Sequence, residues 1–200
     1  MAKKIRVAIL ISGRGSNMIK LIEASRRDNF PAEIVVVGSN NPNALGLEYA
    51  KSQGLNIFVV DHKNFSNFND PRLEFDRELY KNLINHQVDL VCLAGFMRIL
   101  SAWFINQFPQ KIINIHPSLL PNFKGAHAVK DALEARVEYS GCTTHFVVPE
   151  IDSGPIIMQR QVAIDKYDNL EILTQKILTE EHQIYPATLE LVCNQMLQNL

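Results

Sequence analysis

The chain has 200 residues, a hydrophobic share of 46% and a formal net charge of −1. That length fits one domain with a sizeable core, and the near-neutral balance excludes a basic footprint for nucleic acid or anionic membrane. Its longest apolar runs, such as Ile34–Val37 and Leu90–Ala94, are too short to span a bilayer. The basic start Met1-Ala2-Lys3-Lys4 fails as a signal peptide, because Arg6 interrupts the apolar run after it and Ser12-Gly13-Arg14-Gly15 cuts it short. Cys92, Cys142 and Cys193 have no CxxC spacing, which predicts reduced thiols and a cytoplasmic location.

In chain order, Ile5–Ile11 reads as a buried strand, β-branched and bounded by Ser12-Gly13. Ser16–Arg27 follows as a helix with Met18, Leu21, Ile22 and Ser25 near one face. Ile34–Val37 is a second strand, 44–53 a helix stopped by Gly54, and Ile57–Val60 a third strand. Ser66–Pro71 is the most loop-like segment. Arg72–Asn85 is an amphipathic helix with Phe75, Leu79, Leu83 and Ile84 inward. Leu90–Leu93 and Ile112–Ile115 are a fourth and a fifth strand. This alternation predicts an α/β fold, doubly wound, with a mostly parallel sheet. Thr143–Val148 and Ile156–Ile164 have no long helix between them and read as antiparallel strands. Leu170–Cys193 is a closing helix, kinked before Pro186. No linker separates these elements, so 1–200 is expected to form a single domain.

Three constellations point to chemistry. In Ser12-Gly13-Arg14-Gly15-Ser16-Asn17, glycines let the backbone turn sharply, and the amides of the following helix start face an anion. A phosphate is the natural guest. No Gly-Lys-Ser/Thr follows, and Met18 stands where a dinucleotide loop has its third glycine. The same residues also read as a tight strand-to-helix turn capped by serine.

Asn114 and His116 form the second constellation. Residues i and i+2 of a strand share a face, so an amide and an imidazole project together while Ile113 and Ile115 turn away. Pro117 ends the strand, and the carboxyl ends of strands are where an open α/β sheet keeps its chemistry. The imidazole can move a proton and the amide can donate to an oxyanion. A strand-ending histidine beside a turn-forming asparagine is the plainer alternative. The third constellation is Glu150-Ile151-Asp152-Ser153-Gly154-Pro155, where Asp152 stands at the entrance of a sharp turn. Its carboxylate either pairs with His116 and favours the charged ring or serves only as an Asx-turn residue. His127 and His145 are weaker candidates, and Glu180-Glu181-His182 reads by default as a solvated helix face. Ala94–Leu100 is either a pocket wall for a flat ligand or ordinary core.

Taken together and in this order, the Gly-Ser-Asn loop, Ala94-Gly95-Phe96-Met97-Arg98-Ile99-Leu100, Asn114-Ile115-His116-Pro117-Ser118-Leu119-Leu120-Pro121 and Asp152-Ser153-Gly154-Pro155 closely resemble the folate-dependent phosphoribosylglycinamide formyltransferases, from Arg6 to about Leu191. The resemblance implies a Rossmann-like formyltransferase fold. It implies a phosphate-side half over about 1–100 and a folate and catalytic half over about 90–195. The implied reaction passes the formyl group of 10-formyltetrahydrofolate to the amine of glycinamide ribonucleotide in purine synthesis, without a metal. The amine attacks directly. Asn114 and protonated His116 stabilise the oxyanionic tetrahedral intermediate, and Asp152 holds His116 and helps move the proton.

The resemblance further implies phosphate on Gly13, Arg14, Gly15, Ser16 and Asn17, and the glycinamide part against Glu181. Folate would lie along Met97, Arg98, Ile99 and Leu100 and reach Asn114. Arg72 would meet its side, and the Val148, Pro149, Glu150, Ile151 and Asp152 loop its pterin. Pro149, Leu178 and Val129 depart from residues common at those positions. The expected partners are these two small molecules, with neither nucleic acid nor membrane, in a monomer or homodimer. A formyltetrahydrofolate hydrolase, or a formyltransferase acting on methionyl-tRNA or a sugar amine, is the nearest alternative. The hydrolase usually has an extra N-terminal domain and the tRNA enzyme a C-terminal extension, whereas the catalytic pattern here starts at Lys4 and the chain ends soon after its closing helix. A nucleotide-binding module without catalysis would explain the glycine loop and leave Asn114, His116 and Asp152 unexplained.

Overall fold

The computed structural model describes residues 3–199; Met1 and Ala2 of the basic start, and Leu200, lie outside the described residues. The first half runs β1 (Ile5–Ile11), α1 (Ser16–Ser25), β2 (Ala32–Ser39), α2 (Leu45–Ser52), β3 (Asn56–Val59) and α3 (Pro71–Asn85). The second runs β4 (Leu90–Leu93), α4 (Ala102–Gln107), β5 (Ile112–His116), α5 (Ala128–Glu134), β6 (Tyr139–Phe146), β7 (Ile156–Ala163) and α6 (Leu170–Gln198). The strands form a seven-stranded sheet in the order β3-β2-β1-β4-β5-β6-β7. The pairs from β3 to β5 are parallel, and β5–β6 and β6–β7 are antiparallel. This is the doubly wound, mostly parallel sheet expected, with its antiparallel extension and closing helix. The strand order reverses between β1 and β4, which opens the crevice where such sheets bind ligands.

Residue alternation explains how the sheet is covered. In β1, Val7, Ile9 and Ile11 enter one core with Met18 and Leu21 of α1 and Tyr185 and Leu189 of α6. Ala8 and Leu10 enter the other with Phe75, Leu79 and Leu83 of α3 and Phe104 of α4. A strand buried on both faces reads as a continuous apolar run, and each large side chain so buried contributes roughly 1.5–3 kcal/mol. Tyr185 ties α6 to the sheet: its hydroxyl lies 2.9 Å from the Leu93 carbonyl and 3.1 Å from that of Ile113, the residues preceding Ala94 and Asn114.

Several boundaries differ from expectation. α1 stops at Ser25, and Ala24 takes the buried place expected of Ser25. Ile84 is 46% exposed, because the inward row of α3 passes through Phe75, Leu79 and Leu83 and leaves Ile84 a step around the helix. Pro71 belongs to α3, whose first turn is capped by the Asp70 carboxylate on the Leu73 amide at 3.0 Å. β6 begins at Tyr139 because β7 pairs with it from there, and Val148 passes into the loop beyond the sheet. α6 runs on through Pro186 to Gln198, held by the packing of Ile184, Tyr185 and Leu189 on either side of the proline. The 3-10 turn His62–Phe65 and the short helices α4 and α5 carry too few residues for a periodic signal.

Candidate active site

Two cavities open at the carboxyl ends of β1, β4 and β5. The smaller, about 290 Å³, is lined by Ser12–Asn17 and by Ala94, Gly95 and Met97. Gly15 precedes α1 in the left-handed region at φ 73°, a conformation that glycine adopts freely. Among the described residues no side chain caps α1, so the serine-cap alternative fails and the first amides of the helix face the cavity. Asn17 points inward from this loop and donates through Nδ2 to Glu181 Oε2 at 2.7 Å. Its Oδ1 is buried without a partner. Glu181 is buried rather than solvated, and burial raises its carboxyl from 4.5 to about 7 against the opposing hydrogen bond from Asn17.

The larger cavity is about 460 Å³ and has a mostly apolar wall. Met97, Arg98, Ile99 and Leu100 form one side, and Val148, Pro149, Glu150, Ile151 and Asp152 the other. Asn114, His116 and His145 close its inner end. Gly95 and Met97 line both cavities, so the two share a wall. Arg72 stands exposed on α3 and lines neither cavity, although its charge reaches the buried Asp76. Arg98 stacks its guanidinium 5.9 Å from the Phe75 ring centroid.

At the inner end the antiparallel register matters. Asn114 pairs with His145 and His116 with Thr143, which puts these side chains on one face. His145 Nδ1 lies 2.9 Å from the Phe146 carbonyl, so Nδ1 carries the proton and Nε2 accepts from Asn114 Nδ2 at 3.3 Å. Burial lowers the His145 pKa, in keeping with a neutral ring. The Asn114 amide is thereby oriented, and its second N–H has no protein partner among the described residues. His116 donates from Nε2 to the Phe123 carbonyl at 2.8 Å, while Nδ1 faces Asp152 Oδ2 at 3.4 Å. Both partners are acceptors, so the doubly protonated ring satisfies this geometry.

Asp152 does reach His116. It holds φ 48°, uncommon for a residue with a side chain. Its Oδ2 also accepts the Gly125 amide at 2.8 Å, and its Oδ1 lies 3.6 Å from His145 Nε2. The turn after it presses back on β6: a Cβ on Gly154 would lie 1.8 Å from the Phe146 carbonyl, so only glycine fits. Gly125 and Phe123 belong to the loop after β5, and no local pattern marks their main chain as part of the site. His145 had a signal, a polar residue alternating on a strand, but its register against Asn114 was not readable. His127 is exposed at the start of α5 and lines neither cavity. Among the described residues no group of His, Cys, Asp or Glu has the arrangement of a metal site.

Comparison with known proteins agrees with this architecture. Residues 5–189 match the formyl transferase family. The human trifunctional purine biosynthetic protein adenosine-3 is 44% identical over 98% of this chain, which spans only 19% of that protein's length. Escherichia coli (strain K12) phosphoribosylglycinamide formyltransferase is 38% identical over 92% of this chain and 85% of its own. The crystal structure of glycinamide ribonucleotide transformylase 1 from Symbiobacterium toebii superposes with a TM-score of 0.92 at 40% identity, covering 98% of this chain and 90% of that one. With that match running from β1 into α6 and enclosing both cavities, the chain belongs to the formyl transferase family.

Proposed function

We propose that this protein transfers the formyl group of 10-formyltetrahydrofolate to the amine of glycinamide ribonucleotide, giving formylglycinamide ribonucleotide and tetrahydrofolate in de novo purine synthesis. The observation that carries the reading is the meeting of Asn114, His116 and Asp152 at the inner end of an apolar cavity that shares a wall with an anion-binding loop. The Escherichia coli relative, matched along 85% of its length, carries the name of this activity.

The ribonucleotide phosphate sits on the amides of Gly13–Asn17, with Arg14 adding charge. Glu181, behind Asn17, receives the glycinamide side. Folate lies between Met97–Leu100 and the 148–152 loop, its pterin toward that loop and its tail toward Arg72. The phosphate half is about 1–100 and the folate and catalytic half about 90–195.

The amine nitrogen attacks the formyl carbon, and the carbonyl electron pair moves onto oxygen. The free N–H of Asn114 and the charged His116 ring stabilise that oxygen. His145, neutral, keeps the Asn114 amide turned the right way. Asp152 balances the His116 charge and lies where a proton leaves the attacking nitrogen for N10 of the folate. The bond from the formyl carbon to N10 then breaks, and tetrahydrofolate leaves. The partners are these two small molecules, the location is cytoplasmic, and neither nucleic acid nor membrane is involved. No helix of the described residues is long and apolar enough to cross a membrane.

A formyl-transfer assay with glycinamide ribonucleotide or water as the acceptor tests the reading. Turnover with the ribonucleotide and none with water is expected. Hydrolysis alone would replace the transferase reading with a formyltetrahydrofolate hydrolase. Activity should also survive a strong chelator; a loss that zinc restores would overturn the metal-free mechanism.

A further inference from the structure

The two cavities are joined by a side chain that belongs to the catalytic machinery of neither. β1 and β2 end in the pair Ile11–Ser39, so Ser12 and Asn40 emerge side by side. On its other side β1 pairs with β4 up to Leu10–Leu93, and the two chains then flank the crevice where the strand order reverses. Every polar group of Ser12 is engaged across these three strand ends. Its amide donates to the Gly95 carbonyl at 3.1 Å. Its carbonyl accepts from Asn41 Nδ2 at 3.2 Å. Its hydroxyl donates to Asn40 Oδ1 at 2.5 Å and accepts the Met97 amide at 2.7 Å.

The hydroxyl proton is therefore spent on the protein and is not offered to a phosphate or other acceptor. Asn40 is 5% exposed and lines neither cavity. By accepting the Ser12 O–H, it leaves a Ser12 lone pair directed at the Met97 amide. Asn40 is itself anchored from behind, since its carbonyl lies 3.1 Å from His62 Nδ1. The result is a strut, Asn40–Ser12–Met97, that spans the crevice. It ties the loop lining the smaller cavity to the wall that both cavities share.

We propose that Asn40 is a positioning residue that, through Ser12, sets the separation and orientation of the two cavities. A reaction between two bound molecules depends steeply on their relative placement, and small displacements cost rate without costing affinity. Each cavity keeps its own ligand contacts when the strut is cut. What changes is how one ligand is presented to the other. The proposal rests on the formyl-transfer reading, in which the two cavities hold the two reactants.

The test uses Asn40→Ala and, as a second cut in the same strut, Ser12→Ala. Steady-state kinetics with 10-formyltetrahydrofolate and glycinamide ribonucleotide should show kcat reduced about tenfold in each variant, with both KM values within about twofold. Asn40→Asp keeps an acceptor for the Ser12 hydroxyl and should restore kcat at saturating substrate. Amide hydrogen exchange at Met97 should quicken in both alanine variants and not in Asn40→Asp. An unchanged kcat, a Ser12→Ala effect confined to the nucleotide KM, or unchanged Met97 protection would overturn the proposal. If the unmodified protein transfers no formyl group to the ribonucleotide, the functional reading fails. Met97 exchange still decides whether the strut exists.

Discussion

The smaller cavity takes most of its lining from six consecutive residues, Ser12–Asn17, whereas the larger gathers the 95–100 wall, the end of β5, His145 of β6 and the 147–152 loop. Main-chain amides dominate the first. Side chains held by other side chains, and by distant carbonyls, dominate the second. The contrast teaches where each site is vulnerable. A cradle built from backbone tolerates the loss of a side chain that does not hold its path, and fails when the backbone path changes. A constellation built from side chains fails when any member is removed.

The largest expected effect falls on the constellation. Asn114→Ala and His116→Ala should each lower turnover by about 100- to 1,000-fold while far-UV circular dichroism stays unchanged. Near-normal turnover in either variant would erase the distinction between the two cavities. Glu181 lies between them in character, a single buried carboxylate behind the cradle. Its folded-state pKa of about 7 lies above the ordinary 4.5, so the folded protein binds more protons than the unfolded chain between those values. Its contribution therefore favours folding at low pH and is lost as the pH rises through that window. Glu181→Gln should gain about 3 kcal/mol relative to the parent protein between pH 4.5 and pH 8. Paired urea melts read this, and a difference that does not vary with pH would refute the buried carboxylate.

The cradle comes next. Glycinamide riboside, lacking the phosphate, should bind about 100-fold more weakly than the ribonucleotide by calorimetry. Equal affinity would reduce the 12–17 loop to a turn. The smallest effect is on backbone strain: Gly15→Ala forces a Cβ into φ 73° and should cost about 1 kcal/mol, a fall in Tm of roughly 2–4 °C.

The same contrast governs how much could be read from the residues in order. β1 and β4 are legible to the residue, because strands buried on both faces leave an unbroken apolar signature. The glycine loop is legible because a positive-φ turn and a helix start are local events. Asn114 and His116 are legible as a pair because a strand alternates. Helices α4 and α5, six and seven residues long, are not legible: their hydrophobic positions complete too few turns to show a period.

Local chemistry along the chain thus settles the alternation of strands and helices, the phosphate-type turn and the shared face of Asn114 and His116. These depend on neighbours within a few residues, where backbone sterics and hydrophobic period act. Three features depend on folding at a distance. Asp152 meets His116 through a turn that β6 and β7 bring back across 35 intervening positions, and His145 meets Asn114 through an antiparallel register. Asn40 meets Ser12 through adjacent parallel strand ends, and Ser12 in turn meets Met97. Register and loop closure are non-local, set by how whole strands bury their faces against one another, and no short window of residues contains them.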